Sequence, residues 1–120
     1  MKYLVDSNII IYHLNQEAIA TSFLSENYKE IAISQITFIE VLSFDFTQEV
    51  EKDVKALLST FKIFDVTSDV SNQAIKNRKL KKIKIPDNII ASTAMVNDLI
   101  LVTRNVKDFR VLDVRVFNPF

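Results

Sequence analysis

A parallel α/β sheet with helices on both faces is the fold this sequence predicts. Two observations carry the expectation. Short apolar runs alternate along the chain with longer stretches of helical spacing. The strand-like runs are apolar at successive positions, as strands buried on both faces must be.

The elements follow in order. Residues 2–5 form a β-rich run, and residues 8–14 read as a helix that Asp6, Ser7 or Asn8 can cap. Residues 18–27 make a second helix. Residues 31–33 are a brief strand, after which Ser34 caps a helix over 36–46. Residues 48–61 place Val50, Val54, Leu57, Leu58 and Phe61 at helical spacing. A strand over 63–66 precedes a helix that Ser68 and Asp69 open and that runs through a basic segment to about Lys82. Residues 86–96 form a helix with Pro86 at its start, where the missing N–H costs nothing. Strands over 100–102 and 114–117 complete the set.

The chain of 120 residues reads as a single domain, 1–120, with no linker, repeat or low-complexity stretch. That length can bury a proper core, and nine Phe residues supply large pieces of it. There is no Cys, which excludes disulfides and thiolate metal sites and fits a reducing compartment. There is no Gly, which excludes the P-loop and the dinucleotide fingerprint. The opening MKYLVDSNIIIYHL is too broken by Asp6 and Asn8 for a signal peptide, and no apolar run approaches the ~20 residues of a membrane span. A soluble, cytoplasmic protein is expected. Fifteen basic and fifteen acidic residues cancel, so the whole surface is not a general nucleic-acid binder, although a local basic patch is still open.

In open α/β sheets the functional groups gather outside the carboxyl ends of the strands. Asp6 directly follows the first strand; a plain helix cap is the competing reading. Glu40 lies inside ITFIEVLSF, a helix apolar over most of its circumference. A carboxylate there is costly unless it is paired or holds a metal. The simpler account is a narrow solvated stripe of Thr37, Glu40 and Ser43. Asp87 follows Pro86 in a first helical turn, where the helix dipole alone explains an acid. Thr103, Arg104, Asn105 and Asp108 follow the strand 100–102, either as site residues or as an ordinary polar loop. Three or four carboxylates meeting in one cleft cannot all stay ionised without cations. Oxygen donors with no His or Cys select hard ions, Mg²⁺ or Mn²⁺. Such an ion with a substrate phosphate is the chemistry of phosphodiester cleavage. The lone His13, in IIIYHL, is more simply a surface or core histidine.

At these residues the sequence resembles the PIN-domain family, and within it the VapC-type toxins of prokaryotic toxin–antitoxin pairs. The matching segments are LVDSNIIIY (4–12), ISQITFIEVL (33–42), IPDNIIASTA (85–94), LVTRNVKDF (101–109) and VFNPF (116–120). Each is weak alone; the ordered set spans nearly the whole chain. The resemblance implies a three-layer PIN-like fold and a metal-dependent endoribonuclease that leaves a 5′-phosphate. It implies Asp6, Glu40, Asp87 and Asp108 as the acids holding Mg²⁺ or Mn²⁺, supported by Ser7, Asn8, Thr103 and Asn105. Asn105 competes with Asp108 for the fourth place. Ser7 stands where the family usually has Thr. The chain departs from the pattern at 43–46 and at Asp98, where the family commonly has Gly. A small antitoxin partner and a homodimer are implied as well.

The basic stretch Lys76, Arg78, Lys79, Lys81, Lys82 and Lys84 precedes Asp87. Lys79, Lys81 and Lys82 are candidates to track an RNA backbone toward the acids; a solvated helix face is the alternative. Two other functions compete. A PIN-like module that binds RNA or protein without cutting predicts a missing acid; here all four positions can be filled, and the choice between Asn105 and Asp108 for the fourth keeps that alternative open. A phosphotransferase working through an aspartyl-phosphate at Asp6, as in the haloacid-dehalogenase-like families, would by their pattern have a second Asp two residues on, and this chain has Asn8 there.

Overall fold

Leu4, Val5, Ile31, Ala32, Ile33, Leu101 and Val102 are all fully buried, which places three short apolar runs side by side in the centre of the molecule. The computed structural model describes residues 1–120. Its strands are β1 (Tyr3–Val5), β2 (Ile31–Ser34), β3 (Lys62–Phe64), β4 (Ile100–Val102) and β5 (Val116–Phe117). They form one sheet in the order β3-β2-β1-β4-β5, parallel at every pairing. Leu4 stands opposite Ala32 on one side and Leu101 on the other.

Successive strand residues point to opposite faces, and the two faces carry separate cores. Val5, Ile33 and Val102 join Ile9, Ile10, Phe23, Leu24, Val41, Val54 and Leu58 under α1 (Ser7–Leu14), α2 (Ala18–Asn27), α3 (Gln35–Leu42) and α4 (Gln48–Ser59). Leu4, Ala32 and Leu101 pack instead with Ile90, Ala91, Ala94 and Phe109 beneath α6 (Ile85–Val96), against which α5 (Ser68–Leu80) lies. This is the expected three-layer arrangement. The chain runs outward from β1 to β3, then returns to lay β4 on the other side of β1. The strand order therefore reverses between β1 and β4, and the crevice at that switch point is where such sheets hold ligands.

Several element ends differ from the sequence reading. The helix expected over 36–46 stops at Leu42. The Ser43 hydroxyl donates back to the Ile39 carbonyl at 2.6 Å, and the chain turns so that Phe46 packs on the core before Thr47 caps α4. The basic helix ends at Leu80, not Lys82, because Lys81 is extended (φ −150°, ψ 141°) and sends its ammonium to the Asp108 carbonyl at 2.9 Å. The edge strands β3 and β5 are shorter than predicted, each having a ladder partner on one side only. Asp98, where a Gly was noted as customary, has φ 54°, a left-handed turn that Asp tolerates better than bulkier residues. No helix is long and apolar enough to cross a membrane.

Candidate active site

Asp6 is the single residue between β1 and α1 and caps the helix, so the cap and site readings describe one carboxylate. Its Oδ1 accepts the Ser7 N–H at 2.7 Å, and its Oδ2 accepts the Thr103 hydroxyl at 2.8 Å. The backbone N–H of Asp6 donates to the Val102 carbonyl at 2.9 Å, which clamps the ends of β1 and β4 together at the switch point. Asp6 is only 6% exposed. Burial pushes its carboxyl up from 3.8 to about 6; the Thr103 bond opposes this, while the Asp87 and Glu40 charges add to it.

Thr103, fully buried, is the hub behind Asp6. Besides donating to Asp6, it accepts from Asn8 Nδ2 at 3.3 Å and from the Asn105 backbone N–H at 3.0 Å. Asn8 Oδ1 is buried without a donor.

Ser7 links the first helix to the third. Its hydroxyl donates to Glu40 Oε1 at 2.7 Å and lies 3.1 Å from Thr37 Oγ1. One hydroxyl has one proton, so with Glu40 as its acceptor Ser7 takes a bond from Thr37. The solvated-stripe reading of Thr37, Glu40 and Ser43 does not hold. Thr37 is fully buried, Glu40 is half-buried against Ser7, and only Ser43 is exposed.

Asp87 lies in the first turn of α6 and is half-buried. Burial raises its carboxyl, Glu40 and Asp108 raise it further, and Lys84 lowers it. Asp108 falls in a 3-10 turn, Val106–Phe109, that directly follows Asn105. The Asn105 side-chain amide donates to Asp108 Oδ2. Asp87, Asn105 and Asp108 face Lys81, Lys82 and Lys84 across a cleft of about 270 Å³. Asp6 and Glu40 are not in its walls, although their charges act on the same acids.

Four carboxylates thus share the carboxyl edge of the sheet. The two ion pairs of the molecule, Met1–Glu30 and Arg115–Asp98, involve none of them. A cation fits this donor set. It is all oxygen, its buried members are pushed toward protonation, and a neighbouring Asn oxygen has no donor. No three of the acids close around a single point, however. An ion that keeps several waters and takes one or two carboxylates suits the spacing better than a fully caged one.

The other predicted residues separate. Lys81 and Lys82 reach the cleft, while Lys79 lines a different groove with Ala74, Ile75, Arg78, Ile85 and Asn88, since Lys79 is still on α5 and the chain leaves the helix after Leu80. His13 Nδ1 meets Thr21 Oγ1 at 2.8 Å, in a hollow shared with Leu24 and Tyr28 and away from the acids. Sequence reasoning missed a buried amide cluster. Asn77 Nδ2 donates to Asn88 Oδ1 and Ser92 Oγ, both at 3.0 Å, and Asn88 Nδ2 donates to the Ala74 carbonyl at 2.8 Å. This cluster ties α5 to α6 one residue beyond Asp87. An Asn inside the apolar run DNIIA was its only signal.

Acids gathered at the switch point of a five-stranded parallel sheet, with lysines facing two of them, define a three-layer α/β protein with a carboxylate cluster at its sheet edge. The family model described as PIN domain matches residues 3–114, and the chain belongs to that family. It is 32% identical over 117 residues to Ribonuclease VapC10 of Mycobacterium tuberculosis (strain CDC 1551 / Oshkosh), covering 92% of this chain and 87% of that protein. Among solved structures, a toxin–antitoxin complex from Klebsiella pneumoniae superposes with a TM-score of 0.89 at 34% identity, over 99% of this chain and 98% of that one. VapBC2 from Rickettsia felis, bound to a DNA fragment from its promoter, superposes with a TM-score of 0.84 at 26% identity, over 98% of each chain.

Proposed function

We propose that this chain is an endoribonuclease, the toxin of a toxin–antitoxin pair, and that it cuts RNA phosphodiesters with the help of Mg²⁺ or Mn²⁺. The observation that carries the reading is Asp6. It is a buried carboxylate at the switch point, bonded by Thr103 and Ser7, within the field of Glu40 and Asp87 and with no cation of its own. The similarity to Ribonuclease VapC10 and to the toxin–antitoxin complex supports the choice of RNA and of a small antitoxin as partner. A homodimer and a cytoplasmic setting belong to the same reading.

Asp6, Glu40, Asp87 and Asp108 would hold the ion, directly or through its waters. When bound, a divalent ion supplies positive charge at the phosphoryl oxygens and lowers the pKa of a coordinated water. The chain's own residues do the positioning. Thr103 and Ser7 direct the two oxygens of Asp6, Ser7 orients Glu40, and the Asn105 amide orients Asp108. Lys82 and Lys84, opposite Asp87 and Asp108, draw phosphate toward a cleft that would otherwise repel it.

The test is cleavage of a single-stranded RNA by the purified chain with Mg²⁺, with Mn²⁺ and with EDTA, alongside Asp6→Asn and Asp87→Asn. Cleavage is expected only with a divalent ion and is expected to vanish in both variants. Full activity in either variant, or in EDTA, refutes the assignment. RNA binding without cleavage under every ion would favour the non-cleaving module.

A further inference from the structure

Arg104 sits between two residues of the site, Thr103, which holds Asp6, and Asn105, which holds Asp108. Its guanidinium lies 4.4 Å from the centroid of the Phe120 ring and 5.1 Å from that of Tyr12. Those rings meet edge-to-face at 5.1 Å, and both pack against the core on the α1–α4 face. No carboxylate is paired with Arg104, and the residue is exposed. The cation is therefore held on anchored aromatic rings with its N–H fork left to solvent. A guanidinium already restrained in this way loses little further freedom when it meets an anion.

The lysines lie on the opposite face. Ile83, in the middle of Lys81, Lys82 and Lys84, is buried in the core beneath α6. Basic groups thus stand on both sides of the sheet's plane, with the acids between them. A single phosphate needs one basic wall. A polymer crossing the carboxyl edge presents phosphates to both.

The geometry points to Arg104 as an RNA-backbone contact on the far side of the acids from the lysines, positioned by Tyr12 and Phe120. This rests on the ribonuclease reading. The strand enters over Lys82 and Lys84, passes the carboxylates, and places a flanking phosphate on the guanidinium edge. Arg104 then sets where along the strand the cut falls within reach of the acids, without taking part in bond breaking.

The test uses the full chain, a fluorescent single-stranded RNA in EDTA over a salt series for binding, and steady-state cleavage with a divalent ion. Arg104→Ala is expected to weaken binding about tenfold, as loss of a charge-assisted contact does. It should flatten the salt slope by about 0.7, the value for one contact to a single strand, and raise KM with kcat little changed. Arg104→Lys should keep the slope but not the full affinity, because an ammonium lacks the planar fork. Phe120→Ala should weaken binding in the parent and do nothing further in Arg104→Ala, the non-additivity of a shared contact. A dinucleotide too short to reach both walls should be indifferent to Arg104→Ala. Unchanged affinity, salt slope and KM in Arg104→Ala, beside normal wild-type cleavage, overturns this inference alone. Failure of the wild-type chain to cut RNA under any divalent ion overturns the reading beneath it.

Discussion

Asp6→Asn is expected to stabilise the cation-free protein at pH 7 and to destabilise it near pH 4. In the native state Asp6 is held up to about 6 from an ordinary value of 3.8, mainly by burial. That displacement corresponds to ~3 kcal/mol between the two protonation states. The sign follows from proton binding. Between those two pH values the folded chain keeps a proton that the unfolded chain has lost, so stability falls as pH rises through the window. The full cost stands at pH 7, is mostly gone at pH 4 and vanishes only below the ordinary value. Asn carries no charge and avoids it at every pH. Against this, the Thr103 hydroxyl loses its acceptor, while its oxygen already receives Asn8 and Asn105. That loss is on the order of 1–2 kcal/mol and is independent of pH. The net effect is a gain of roughly 1–2 kcal/mol at pH 7 and a loss of similar size at pH 4. Urea denaturation in EDTA at about pH 4, 5 and 7.5 reads both. The wild-type and variant curves should cross at about pH 5, and Mn²⁺ at pH 7.5 should stabilise the wild type more than the variant. A difference that does not change with pH would show that the buried carboxylate carries no such cost, and the account of a site awaiting a cation would fail with it.

Three further outcomes are expected. Asp108→Asn should raise the Mg²⁺ concentration for half-maximal cleavage, whereas Asn105→Ala should slow cleavage with a smaller effect on that midpoint; the reverse pattern in a metal titration would exchange their roles. Lys82→Gln with Lys84→Gln should weaken RNA binding and flatten its salt dependence, while Lys79→Gln, in the separate groove, should do neither in the same fluorescence assay. Asn77→Ala should cost about 1–3 kcal/mol in thermal or urea unfolding, because it removes the donor shared by the buried Asn88 and Ser92 oxygens and leaves those oxygens only their bond to each other; a loss below ~0.5 kcal/mol, the range of ordinary surface substitutions, would show that the cluster does not clasp α5 to α6.

The sequence by itself determined the kinds and order of the elements, because apolar periodicity is a local property that survives without knowing the partner. Asp6 and Asp87 were legible for the same reason: each stands at the start of a helix, and Asp6 directly follows a strand. Glu40 was legible only as an anomaly, an acid in an apolar helix. Element ends were less legible, as at α3, where the Ser43 turn and the packing of Phe46 stop a helix that the pattern would continue. Tertiary structure alone decided who holds whom. Ser7 meets Glu40 across 33 positions and Thr103 meets Asp6 across 97, pairings that exist only once β1 lies between β2 and β4. It also divided the basic run, turning Lys81 and Lys82 to the acids and Lys79 away, since the helix ends at Leu80 and the chain direction changes there. The amide cluster of Asn77 and Asn88 and the stack of Arg104 on Tyr12 and Phe120 join residues from different elements in the same way. A side chain's identity sets which bonds it can make, but the distance to a partner is set by how layers of helix and sheet pack, and that is a property of the whole chain.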